Sequence, residues 1–227
     1  VWKNTPFDVL KETSVVNLDG HKALITGAGQ GIGRSWAEIL ALRGADVVLL
    51  DKNSKTLSAT AKKIKAMGRR VFSRSLDLTD IQALQKTVQA AKQEGRIDIL
   101  INNASAINLS GTRETPMKRF DLMHQINTRG TFLCSQKCIP YLEKADKPHI
   151  LNLSPPLNME AKWFAPHVAY TMAKFGMSMC VLGMAEELKA RGIAVNALWP
   201  RTTIATAAVR NQERHQSPVQ PVMDQVK

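Results

Sequence analysis

An apolar run, a glycine-rich turn and an amphipathic run follow one another from His21 to Gly44: HKALI, TGAGQGIG, RSWAEILALRG. Gly27, Gly29, Gly31 and Gly33 occupy the place where a strand becomes a helix. A turn of this kind needs backbone angles that a Cβ penalises, and it lets a phosphate come close to the main chain. The first turn of the following helix then offers free N–H groups and a partial positive charge to a pyrophosphate. No Lys-Ser or Lys-Thr follows the glycines, which excludes a Walker-type phosphate loop.

The same alternation continues along the chain. HKALIT (21–26), ADVVLL (45–50), RVFSRS (70–75), IDILIN (97–102), HILNLS (149–154) and IAVNAL (193–198) read as strands. Helical patterns fill about 31–43, 54–67, 79–94, 117–143 and 167–190. Several strands are near-continuous Ile, Leu and Val, as expected where both faces of a parallel sheet are covered. Strand–helix alternation implies right-handed crossovers and an α/β, doubly wound parallel sheet of the Rossmann type. One domain is expected over 17–208, with an N-terminal arm at 1–16 and a polar tail at 209–227. No seventh strand is recognisable.

The second strand closes on Asp51, 18 residues after Gly33 (51 − 33). A carboxylate there accepts both ribose hydroxyls of NAD and repels the extra phosphate of NADP. The other reading is that Asp51 caps the next helix. Lys52 beside it softens the discrimination, so NAD is the expected cofactor and NADP is admitted.

Composition narrows the class further. The 227 residues, 44% of them hydrophobic, suffice for a full core. No apolar run reaches the roughly 18 residues that cross a bilayer, and no secretory signal opens the chain, so no membrane partner is expected. Three cysteines without a C-x-x-C pair suit a reducing compartment, the cytoplasm or an organelle matrix. The five histidines have no metal-ligand spacing, and no metal is expected. The charge of +12 attracts polyanions in general, but neither finger nor RNA-binding motif accompanies it. It reads as a solvated basic surface, and nucleic acid is not an expected partner.

With these residues in hand, the chain resembles the short-chain dehydrogenases/reductases. Their T-G-x-x-x-G-x-G turn is matched by Thr26, Gly27, Gly31 and Gly33, with Gly29, Gln30 and Ile32 between. The resemblance implies that Asp77 and Leu78 meet the adenine, and that Asn103 and Ala104 of NNAS border the cofactor. Ser105 stands where the family has glycine. Asn127 matches the helix asparagine, Ser154 the strand-end serine, and Tyr170 and Lys174 the Y-x-x-x-K pair, 16 residues after the serine (170 − 154). Pro200-Arg201 replaces Pro-Gly after the sixth strand, and Thr206 falls where the nicotinamide carboxamide is held. SMCVLGMAEEL, VNALWPRT and the double proline resemble a hydroxysteroid dehydrogenase-like branch of the family.

The chemistry of such a site is hydride transfer coupled to one proton at an oxygen. Tyrosine ordinarily titrates near 10, too high for a good base, and a lysine one turn away favours its phenolate. The resemblance therefore makes Tyr170 the general acid/base, Lys174 its electrostatic partner and a ribose contact, and Ser154 the holder of the substrate oxygen. Asn127 would position a water leading to Lys174. Read singly, Ser154 is equally a strand-end cap and Asn127 a satisfied core amide. Between Ser154 and Tyr170, Pro155, Leu157, Trp163 and Phe164 offer apolar surface, either as the wall of a site for a small apolar substrate or as cover for the core or a subunit contact. The substrate class is then a steroid, a terpenoid or a fatty-acyl derivative. A non-catalytic dinucleotide-binding or scaffolding protein is the alternative. The 167–190 helix is apolar almost all round, which predicts burial on more than one side. A homodimer or homotetramer through helices 117–143 and 167–190 is expected.

Overall fold

A computed structural model describes residues 16–92, 96–200 and 204. Six strands form within it: β1 Lys22–Thr26, β2 Asp46–Asp51, β3 Val71–Ser75, β4 Ile99–Asn102, β5 His149–Asn152 and β6 Ala194–Ala197. All pair in parallel, in the order β3-β2-β1-β4-β5-β6. Each strand lies inside the run read from the sequence, except that β2 runs one residue further, to Asp51. The order reverses between β1 and β4, and ligand crevices of such sheets open at the carboxyl ends beside that reversal.

Alternate strand residues serve opposite faces. Ala23 and Ile25 pack with Leu49, Ile101 and the helices α1 (Gly31–Leu42) and α2 (Ser54–Ala66). Leu24, Leu50, Leu100 and Ile150 pack on the other face, under α3 (Ile81–Lys92) and two later helices.

The expected continuous helix at 117–143 is divided. α4 (Met117–Met123) passes into a wide π turn, His124–Arg129, before α5 (Gly130–Leu142). The N–H of Gly130 reaches the carbonyl of Gln125, five residues back. One extra residue in the turn places Asn127 fully inward, and sequence periodicity carries no mark of it. On α5, Cys134 is buried and its thiol is pushed up to about 12, so it is not a nucleophile at neutral pH.

A short helix, α6 (Ala161–Phe164), precedes the long α7 (Val168–Glu187). By length and composition α7 is apolar enough to cross a membrane, contrary to the sequence expectation. It packs instead on β5, β6 and the π turn, with Ala173, Lys174, Phe175 and Met177 buried. Its outer face is not covered by the described residues: Met172, Met179 and Leu182 are exposed. At the outer strand, Leu198, Trp199 and Ile204 are exposed as well. The expected arm (except Val16), Arg201, Thr206 and the tail lie outside the described residues.

Candidate active site

Gly27 (φ +65°) and Gly31 (φ +55°) hold left-handed backbone that side chains avoid. Gly33 is required by packing, because a Cβ there would strike the Gly27 carbonyl and the Asn103 amide. α1 begins at Gly31 with no side-chain cap and no acidic residue in its first turn. Its free N–H groups therefore remain for an anion.

Asp51 decides between its two readings. Its Oδ2 accepts the Gly29 N–H at 2.8 Å, and its Oδ1 accepts the Asn53 N–H at 2.8 Å. The cap of α2 is Asn53, which accepts the Thr56 N–H at 3.1 Å. Asp51 is thus free to face the crevice while bracing the turn. Lys52 turns away to Asp77, 2.9 Å from its carboxylate. Asp77 also accepts the N–H and hydroxyl of Thr79 at 3.0 and 2.9 Å. The Lys52 hydrogen bond, chiefly, holds the Asp77 carboxyl below its usual range.

A groove of about 370 Å³ opens there, lined by Gly27, Gln30, Gly31, Ile32, Asp51, Asp77, Leu78, Asn103 and Ala104 among others. Those nine are the cofactor contacts expected from the sequence; Ala106 and Ile126 are additions, and Ser105 is expected there only as the position where the family has glycine. Gly29 and Gly33 stand behind the wall and act by lacking side chains. The bare glycine turn, the uncapped helix start and the Asp51 carboxylate fit a dinucleotide.

The NNAS stretch is fastened to that turn. The Thr26 hydroxyl accepts the N–H groups of Asn103 and Ala104, both at 3.1 Å. The Asn103 amide donates to the carbonyls of Thr26 (3.0 Å) and Gly27 (3.1 Å). Asn127 grips the next residue twice, accepting the Ala106 N–H at 2.8 Å and donating to its carbonyl at 3.0 Å. The core-amide reading of Asn127 therefore holds for its side chain.

The remaining polar groups gather at the carboxyl end of β5. Ser154 is fully buried and its hydroxyl has no hydrogen-bond partner among the described residues. Such a group carries a desolvation cost that a ligand oxygen relieves. Lys174 is buried, donating to the Leu153 carbonyl and to Met177 Sδ. Burial brings its ammonium down to about 8. Tyr170 sits one turn away, against Met123, Ala169 and Ala173, and burial pushes its phenol up to about 12. Ser105 opposes that rise, and its hydroxyl donates to the Ala106 carbonyl at 3.4 Å. Helix α7 is seated by Thr128, which donates to the Ala173 carbonyl at 3.0 Å where Gly176 leaves room.

The intervening segment splits in role. Phe164 meets Phe175 edge-on at 4.9 Å and covers the core. The Pro155 carbonyl accepts the Ser178 hydroxyl at 2.6 Å. Leu157 is exposed, and the Trp163 indole N–H is buried with no hydrogen-bond partner among the described residues. Pro200, half-buried, ends the described run after β6, whereas Thr206 lies outside the described residues.

The short chain dehydrogenase family model matches residues 21–217, and the chain belongs to that family. Hydroxysteroid dehydrogenase-like protein 2 of Bos taurus is 52% identical over 200 residues, 85% of this chain and 48% of that protein. The chain thus spans about half the length of the curated relatives it matches. A short chain dehydrogenase structure from Mycobacterium thermoresistibile is similar at a TM-score of 0.82 and 46% identity, over 86% of this chain and 72% of that one. A 7α-hydroxysteroid dehydrogenase complexed with NADH and 7-oxo glycochenodeoxycholic acid follows at 0.77 and 31%, over 86% and 75%.

Proposed function

We propose that this chain is an oxidoreductase that interconverts an apolar alcohol and its carbonyl with a nicotinamide dinucleotide, NAD in preference to NADP. The observation that carries the reading is the buried, unpartnered hydroxyl of Ser154 at the sheet edge that also holds Tyr170 and Lys174. The bound nicotinamide supplies or takes up the hydride. Tyr170, a phenol at neutral pH with its titration near 12, has a proton to give to a carbonyl oxygen. Ser154 holds that oxygen. Lys174 remains largely cationic at pH 7, since it titrates near 8, and favours charge developing on the phenol. Asp51 is the proposed ribose acceptor and Asp77 with Leu78 the adenine contact.

The 7α-hydroxysteroid dehydrogenase neighbour supports a bulky apolar substrate of steroid or similar class. The exposed Met172, Met179 and Leu182, with Phe132 on α5, support pairing with a second copy. The test is a panel of alcohols and carbonyls with NAD(H) and NADP(H), followed by nicotinamide absorbance in the wild type and in Tyr170→Phe. The reading requires turnover that Tyr170→Phe removes while dinucleotide binding persists. Dinucleotide binding with no turnover on any substrate would make the chain a non-catalytic binding protein.

A further inference from the structure

β5 ends at Asn152, and the chain leaves it through Leu153, Ser154, Pro155 and Pro156. Proline carries no N–H, so the two residues after Ser154 can be held only by their carbonyls. The Ser154 N–H itself turns back to the Asn152 carbonyl at 3.0 Å. Beyond Ser154, any backbone tie that fixes this exit must therefore bring a donor.

Helix α7 brings donors to both flanks. Lys174 donates to the Leu153 carbonyl, and the Ser178 hydroxyl donates to the Pro155 carbonyl at 2.6 Å. Ser154 is the one residue between those two carbonyls. Tyr170, Lys174 and Ser178 follow at intervals of four, which places them along one side of α7. Lys174 and Ser178 are 5% and 3% exposed, so solvent does not compete for either bond.

A serine inside a helix commonly returns its hydroxyl to the carbonyl four residues back. For Ser178 that acceptor is Lys174, at 3.4 Å, whereas Pro155 lies at 2.6 Å. The shorter bond is the one that leaves the helix. The Ser154 hydroxyl has no hydrogen-bond partner among the described residues, so its place is set by the backbone on either side. Lys174 also serves the Tyr170 phenol in the proposed chemistry. Ser178 has no part in that chemistry except through Pro155.

We propose that Ser178 is a positioning residue of this site: by holding the Pro155 carbonyl it fixes the Ser154 hydroxyl against α7, the helix that carries Tyr170. The proposal rests on the reading of Ser154 as the holder of the substrate oxygen, but its first two measurements need neither substrate nor cofactor.

Pro155-Pro156 is the only Pro-Pro pair in the chain. With proline isotope-labelled at its carbonyl carbon and its nitrogen, Pro155 alone gives a carbonyl resonance split by a labelled nitrogen. That resonance is recorded for the wild type, Ser178→Ala and Ser178→Cys. Alanine suits a helix interior, and cysteine keeps the size of the side chain with only a weak donor. Loss of the hydrogen bond is expected to displace the resonance in the same direction in both variants. Amide exchange at Ser154 is expected to quicken roughly three- to tenfold, the size set by one lost hydrogen bond. Exchange at Ile150 and Leu151 should follow only the global stability read from melts. Where the wild type turns over, kcat is expected to fall roughly ten- to hundredfold with KM for NADH unchanged. An unmoved carbonyl resonance, uniform exchange across β5, or a cysteine variant that behaves as wild type overturns the proposal. So does turnover that neither variant lowers, or a KM for NADH that rises as far as kcat falls. Absence of turnover in the wild type bears on the proposed function alone, and the resonance and the exchange then decide the role of Ser178.

Discussion

The Asp51 carboxylate accepts the Gly29 N–H at 2.8 Å, so the proposed reader of the ribose also braces the turn proposed to receive the phosphates. A charged acceptor on a backbone donor contributes about 1.5–3 kcal/mol. Asp51→Ala is expected to weaken NADH binding at least about tenfold, since tenfold corresponds to about 1.4 kcal/mol. It also removes the repulsion toward a 2′-phosphate, so the NAD-over-NADP preference narrows or inverts. Titration of cofactor fluorescence with both dinucleotides measures this, and an unchanged ratio removes Asp51 from the reading.

Gly33 has no room for even a methyl group, because the Gly27 carbonyl and the Asn103 amide occupy its Cβ position. Gly33→Ala must push the turn away from β4. A loss of about 1–3 kcal/mol in stability is expected, together with loss of dinucleotide binding. Denaturant melts read the first effect and calorimetric titration the second. Full affinity in a stable variant would contradict the contact.

Thr26 is buried, and its hydroxyl accepts two N–H groups from the NNAS stretch. Thr26→Val keeps the shape and removes the acceptor, leaving both donors unsatisfied. The cost is expected to be about 2 kcal/mol or more. Hydrogen exchange at Asn103 and Ala104 should accelerate beyond the global change, and uniform exchange across the sheet would argue against a local clamp.

Burial brings the Lys174 ammonium from 10.5 to about 8, so the folded state resists its charge. Stability from this group is present above about pH 10.5 and is lost as pH falls through about 8. The full penalty below pH 8 is about 3 kcal/mol, and loss of the bond to Leu153 offsets about 1 of it. Lys174→Met is therefore expected to be about 2 kcal/mol more stable than wild type at pH 7, with the advantage fading by pH 10, while turnover disappears. Melts across that pH range decide it.

Leu182 is 67% exposed on α7, so it has little to lose within the monomer. Leu182→Glu is expected to change monomer stability by no more than about 0.5 kcal/mol, yet to dissociate an oligomer formed through α7. Light scattering after size exclusion reports the mass, and an unchanged oligomer would place the interface elsewhere.

Much of this molecule is written locally. Apolar runs of Ile, Leu and Val set the buried inner strands, and amphipathic runs set the helices between them, since both depend on neighbours along the chain. The glycine spacing and Asp51 place a dinucleotide crevice for the same reason, and the polar residues at the end of β5 and on α7 follow in order. Tertiary structure decided the rest. Periodicity does not reveal that the 117–143 segment contains a π turn, or that Asn53 rather than Asp51 caps α2. It cannot show Thr26 reaching residues 77 and 78 positions away, or Thr128 reaching the Ala173 carbonyl. Those pairings depend on the register of β1 with β4 and on how α7 seats on the π turn. A hydrogen bond of about 3 Å requires that docking to place the atoms, and residue type alone does not.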